Sequence, residues 1–211
     1  EGFLLKKDFL TTSILLLIIS FLVGCSSHEK TEMNPDYAGV GTEIPGGIDA
    51  RIVPFDFEEA VKDADLIAEV EIKRLIKEVK EEPIPYTVFA THIIQKIEGD
   101  DMRAEVTIRQ NGDSEWRFND NKMFKPGEKY VFFLKKTAAS ESDYWILGEE
   151  TGMFQVASDD YLIKLSDSLD EFASLEAHPN DLQSNDKEII NDVTQILDKQ
   201  SFINKIKGEL K

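Results

Sequence analysis

The stretch that most narrows what this chain can fold into is residues 66–73. Leu66, Ala68, Val70 and Ile72 alternate there with Ile67, Glu69, Glu71 and Lys73, the period of two of a strand with one face against a core. The alternation returns where Ala104, Val106 and Ile108 interleave with Glu105, Thr107 and Arg109. Residues 130–134, Tyr-Val-Phe-Phe-Leu, form an unbroken apolar run suited to a strand buried on both faces. Turn signals at residues 81–85, 98–101, 111–112, 126–127 and 148–152 separate these stretches. Many short strands between regular turns imply a mainly β fold, a sandwich or a small closed barrel, over residues 55–165.

Local details refine that expectation. Asp56 followed by Glu59 makes a capping-box pattern and predicts a short helix over residues 57–63, with Phe57, Ala60, Val61 and Ala64 turned inward. Beyond Ile72 the phase slips, because Leu75, Ile76 and Val79 no longer alternate with it. A bulge in one long strand or a helical turn would account for this, and the bulge is favoured because a small barrel needs a strongly curved first strand. Residues 86–111 read as a hairpin, and residues 144–147 and 153–156 as another around the glycine-flanked turn at 148–152. Residues 166–211 read as a helical appendage. Leu169, Phe172 and Leu175 have helical spacing, and Ile189, Ile190, Val193, Ile196 and Leu197 trace a stripe behind Asn185 or Asp186 as N-cap. Phe202, Ile203 and Ile206 extend this C-terminal amphipathic helix, which is expected to pack on the barrel or, alternatively, to bind a partner.

The first residues follow a different logic. Lys6 and Lys7 precede an apolar run over residues 9–23 that stops at Cys25. A membrane-spanning helix needs about 20 apolar residues, so a secretory h-region fits better. Leu22, Val23, Gly24 and Cys25 resemble the lipobox of bacterial lipoproteins. That resemblance implies a signal peptide over residues 1–24, acyl chains (palmitate among them) on Cys25, and a mature protein held at the extracytoplasmic face of the cell membrane. Two chains, at roughly 0.8 kcal/mol per buried methylene, anchor where one would not. Cys25 is the only cysteine, so no intramolecular disulfide is possible. Residues 25–54, punctuated by Pro35, Gly39, Gly41, Pro45, Gly46, Gly47 and Pro54, read as a lipid-anchored flexible tether. A chain of that length spans on the order of 30 Å. Tyr37, Val40, Ile44 and Ile48 could instead pack on the domain or be recognised by a partner.

The order of features over residues 57–157 resembles the netrin-like domain, the family that includes the tissue inhibitors of metalloproteinases. The residues that carry the likeness are Ala64-Asp65-Leu66-Ile67-Ala68 opening a long bent strand, Lys96-Ile97-Glu98-Gly99 closing the second, Val106-Thr107-Ile108 in the third, and Gly127-Glu128-Lys129-Tyr130-Val131-Phe132. The resemblance implies a small OB-like five-stranded barrel with flanking helices. Protease inhibition is not carried over. Inhibitors of that family chelate zinc through a free amino-terminal cysteine, whereas Cys25 would be acylated and a tether away from the barrel.

Catalytic chemistry is absent from the motifs. The histidines, His28, His92 and His178, are scattered without metal-ligand spacing, so no metal and no cofactor is expected. There is no nucleophile elbow, P-loop or paired-histidine helix. With a net charge of −17 the chain repels phosphate backbones, which argues against nucleic acid as a partner. Among 41 carboxylates, pairs such as Asp100-Asp101 and Glu149-Glu150 are expected by chance. The aromatics are more telling. Trp116 stands in a polar stretch where an indole is unexpected, and OB barrels bind ligands on the face of strands two and three. A candidate site is therefore Trp116 with Arg109 and Arg117, and Tyr86 or Tyr144 as neighbours; alternatively Trp116 plugs the barrel. The functional expectation is a non-enzymatic envelope module binding a protein, peptide or glycan. The alternative is an envelope hydrolase in which an Asp and a Glu face each other, one with a raised pKa.

Overall fold

Asp56 starts the domain's first helix as its composition demands. Its Oδ1 accepts a hydrogen bond from the Glu59 amide at 2.9 Å, and helix α1 (Phe57–Asp63) buries Phe57, Ala60 and Val61 at helical spacing. Before it lies a three-residue strand, β1 (Gly46–Ile48). The computed structural model describes residues 46–48, 55–80, 83–119, 121–164, 166, 168–177 and 195–210. After α1 come β2 (Leu66–Val79), β3 (Tyr86–Gly99), β4 (Glu105–Asn111), β5 (Trp116–Phe118), β6 (Lys129–Thr137) and β7 (Ser140–Ile146). The chain continues through β8 (Met153–Val156), β9 (Tyr161–Lys164), β10 (Gln195–Asp198) and helix α2 (Lys199–Glu209).

Strands β2, β3, β4, β7 and β6 pair in that order, and β6 returns to β2, so the five close into a barrel. All pairings are antiparallel except β4 with β7. This is the OB-like five-stranded barrel with flanking helices, mainly β throughout. The curvature comes from β2, whose register against β3 slips at four places, including Ile72/Arg74 and Leu75/Lys77. The phase change after Ile72 is thus a bulged strand and not a helical turn. Residues 86–111 form the expected hairpin, Tyr86 facing Asn111 and His92 facing Glu105.

Two cores share the walls of β2 and β6. Inside the barrel, Leu66, Ala68, Val70 and Ile72 meet Phe89, Ile108, Phe132, Leu134 and Ile146. The plug is Phe124, whose ring lies 5.3 Å from Phe89 and 4.9 Å from Tyr130. Its amide donates to Gln110 Oε1 at 3.2 Å. Outside, Ile67, Val131 and Phe133 face a second cluster built from Phe55, Phe57, Phe154, Phe172 and Phe202. Both faces of β6 are therefore dry, as the run at 130–134 implies. The lid over this second core is the end of the chain. Asp198 caps α2 by accepting from the Ser201 amide at 2.7 Å, α2 buries Phe202, Ile203 and Ile206, and Lys199 pairs with the buried Glu69 at 3.1 Å.

Three expectations are corrected. Residues 144–147 and 153–156 are not a hairpin. Strands β7 and β8 lie end to end along one edge of β6, with Leu134 opposite Ile146 and Phe132 opposite Met153. The connection between them holds to that edge through the Leu147 amide on the Phe133 carbonyl at 2.8 Å. It requires Gly152, where a Cβ would sit 1.9 Å from the Leu147 carbonyl oxygen. The hairpin partner of β8 is β9. In the C-terminal appendage, Ile196 and Leu197 belong to strand β10, paired with β9, and the amphipathic helix starts only at Lys199. Residues 170–175 form a 3-10 helix that buries Phe172. The expected flexible tether over 25–54 contains a strand, because Gly46, Gly47 and Ile48 pair in parallel with β5. Cys25, His28, His178, Asn185, Asp186, Ile189, Ile190 and Val193 lie outside the described residues, as do residues 1–45 and 49–54 as a whole. Among the described residues no helix is long and apolar enough to cross a membrane.

Candidate functional site

Strand alternation decides which side chains leave the barrel. Val106, Ile108 and Gln110 point in on β4, so Thr107, Arg109 and Asn111 point out. On β7 Tyr144 and Ile146 point in, which turns Asp143 and Trp145 outward. The register sets Val88, Arg109 and Trp145 side by side across β3, β4 and β7. The Arg109 guanidinium consequently lies over two rings, 4.9 Å from the Tyr86 centroid and 5.0 Å from that of Trp145. The rings themselves meet edge to face at 5.2 Å.

Asp143 holds the guanidinium in place. Its Oδ2 accepts from Arg109 Nε at 2.8 Å and from Nη2, and from Thr137 Oγ1 at 3.2 Å. Its Oδ1 accepts from Thr107 Oγ1 at 2.9 Å. Arg109 Nη1 also donates to the Tyr86 hydroxyl at 3.3 Å. With the carboxylate satisfied from several sides, the cation–aromatic stack is a pre-set element of the outer wall.

Two strand positions along from Arg109, Asn111 carries this face onto the turn between β7 and β8. Its Nδ2 donates to Glu149 Oε1 at 2.8 Å. Glu149 is only 8% exposed, and its Oε2 is buried without a hydrogen-bond partner. Burial, and then the neighbouring Glu150, push this carboxyl up to about 8, against the hydrogen bond from Asn111. Glu150 is held by Asn119 Nδ2 at 2.9 Å and by Asn121 Nδ2 at 3.4 Å.

The structure thus unites Arg109 and Tyr86 but replaces Tyr144 with Trp145. Tyr144 is fully buried inside the barrel, where its hydroxyl donates to Asp101 Oδ2 at 2.5 Å. It cannot neighbour a surface ligand. Trp116 is 44% exposed on β5, so it is not the barrel plug; that place belongs to Phe124. It stands on a separate hairpin, tied to the end of β2 by Lys80 on Glu115 at 2.5 Å and by Ser114 on Glu78. Arg117 follows it, half-buried, with Nε lacking a partner among the described residues. No protein-family model matches this chain, and no curated protein is significantly similar to it. The site must speak for itself.

Trp145 was within reach of sequence reasoning. Once Ile146 is placed inside, parity puts Trp145 outside beside Arg109. Glu149 was not, since nothing in the glutamate pair marks one member as buried. A raised carboxyl, which the hydrolase alternative requires, exists at Glu149. Among the described residues, the charge that acts on it is that of the adjacent Glu150 rather than of a facing Asp. Among the described residues no group of three His, Cys, Asp or Glu side chains is arranged to hold a metal ion.

Proposed function

We propose that this chain is an exported lipoprotein, acylated at Cys25, whose barrel presents the outer face of β3, β4 and β7 to a peptide, protein or glycan of the cell envelope. The observation that carries the binding half is the Tyr86–Arg109–Trp145 stack on the wall that OB-like barrels use for ligands. Two aromatic edges and a cation already fixed by Asp143 offer contact at little ordering cost. The anchoring half rests on the apolar leader and on Leu22-Val23-Gly24-Cys25. The strand order agrees with the netrin-like resemblance, which remains part of the proposal. The acidic charge of −17 turns the protein away from nucleic acid.

The test takes the whole chain expressed in a bacterium supplied with a labelled fatty acid, as wild type, Cys25→Ala and Arg109→Ala. Wild type should carry the label and sediment with membranes, and Cys25→Ala should lose both. An envelope component cross-linked to wild type should be lost from Arg109→Ala at equal protein level. Label on Cys25→Ala would overturn the anchor, and an unchanged cross-linked set in Arg109→Ala would overturn the face.

A further inference from the structure

The connection between β7 and β8 holds a carboxyl in a place that suits only its neutral form. Glu149 is more than nine-tenths buried, one oxygen takes a single hydrogen bond from Asn111, and the other is buried with no hydrogen-bond partner among the described residues. The groups around it come from three directions. Glu150 follows in the same turn, Asn111 comes from β4, and Asn119 and Asn121 hold Glu150 from the segment before β6. On the far side of the turn, the Phe55 ring packs close against Gly148. The one charge in this set is negative. An ionised Glu149 would therefore be buried beside a like charge, with no cation among the described residues to offset it, the arrangement in which a carboxyl keeps its proton or leaves.

Leaving is feasible because of where the turn lies. It bridges two strands that share one edge of β6, is seated there by the Leu147 amide on the Phe133 carbonyl at 2.8 Å, and is closed on itself by the Thr151 amide on the Gly148 carbonyl at 2.9 Å. Glu149 also carries a positive φ of 46°, which a side-chain-bearing residue holds only when its surroundings fix it.

We propose that residues 147–152 are a proton-held latch: with Glu149 protonated the turn stays seated on the β6 edge against Asn111, and loss of that proton to solvent releases it. Release frees Asn111, two positions from Arg109 on the same outward face. That the latch would tune ligand binding rests on the proposed function; that it opens does not.

The experiment is amide hydrogen exchange on the whole chain at pH 6 and pH 8, corrected for the intrinsic pH dependence of exchange and read at Leu147 and Thr151. A carboxyl that titrates near 4.5 when released and at about 8 when seated should raise the opening equilibrium roughly fifty-fold between those pH values. Glu149→Gln, a neutral isostere, should abolish the increase. Glu150→Gln removes the like charge and should make it smaller, which keeps the test open if the first variant folds poorly. Equal exchange at both pH values in wild type, or the same increase in Glu149→Gln, would overturn the latch. Failure of ligand binding alone would leave it standing.

Discussion

The outer wall of β2 and β6 and the outer wall of β3, β4 and β7 belong to one barrel, yet they are finished by opposite means. The first is sealed by phenylalanine. Phe133 meets Phe55, Phe57, Phe154 and Phe202 at ring separations of 5.3 to 6.3 Å, under a lid formed by α2. The second is left to polar groups that satisfy one another, Arg109 on Asp143 and Asn111 on Glu149. Among the described residues, one buried side-chain oxygen without a partner, Glu149 Oε2, borders this wall, while Asp113 Oδ2 and Arg117 Nε belong to the β4–β5 segment. Among the described residues, the non-glycine residues of positive φ are Asn119, just after β5, and Glu149. Apolar packing closes the first wall with nothing left over. The polar wall ends at Glu149, whose second oxygen finds no partner among the described residues, a kind of local breach that is commoner at functional sites than in packed cores.

The largest effect should come from breaking the sealed wall. Phe133→Ala removes a fully buried ring touching four others, and large-to-small changes of this kind cost about 3–5 kcal/mol. Urea unfolding should show that loss as a lower midpoint. If the two walls are as separate as their chemistry, a cross-linked ligand on the Arg109 face should be retained wherever the variant is folded.

A smaller effect probes the barrel interior between them. Tyr144→Phe deletes the hydroxyl on Asp101, at a cost of about 1–2 kcal/mol. Burial raises the pKa of Asp101, but the hydrogen bond from Tyr144 and the contacts with Arg103 outweigh it and hold the carboxyl below 3.8. A carboxyl lowered on folding stabilises the protein above its unfolded value and loses that contribution as pH falls through the folded one. The acid-unfolding midpoint of Tyr144→Phe should therefore move to higher pH, measurable by circular dichroism from pH 5 to pH 2. An unmoved midpoint would mean that Arg103 alone sets Asp101.

What was legible in the sequence follows the same division. The sealed wall could be read because burial writes itself as period: Leu66 to Ile72 alternate, residues 130–134 are apolar throughout, and Phe57, Ala60 and Val61 recur as a helix requires. Pairing was less legible. Strands β7 and β8 are neighbours in sequence around glycines, the usual mark of a hairpin, but both answer to β6, a partner that local pattern does not reveal. Ile196 and Leu197 fit a helical stripe equally well, and only β9 beside them makes them a strand. On the polar wall Arg109 and Tyr86 were visible as chemistry. Tyr144 was misplaced for Trp145 because a one-residue change of parity exchanges inside for outside.

The finest test addresses the stack itself, through Arg109→Lys. The lysine keeps the charge but gives up the planar fork that reaches Asp143 through two nitrogens and lies over both rings. Asp143 would still accept from Thr107 and Thr137, so no carboxylate is stranded, and the stability cost should be smaller than that of Arg109→Ala, which leaves the largely buried carboxylate without a cation. The change in ligand retention should be out of proportion to that. If the stack is only the finish of the wall, retention and stability will fall together by the same small amount. If it is a binding surface, the lysine variant will fold almost as well as wild type and still lose its ligand, because a flexible ammonium cannot lie flat between Tyr86 and Trp145.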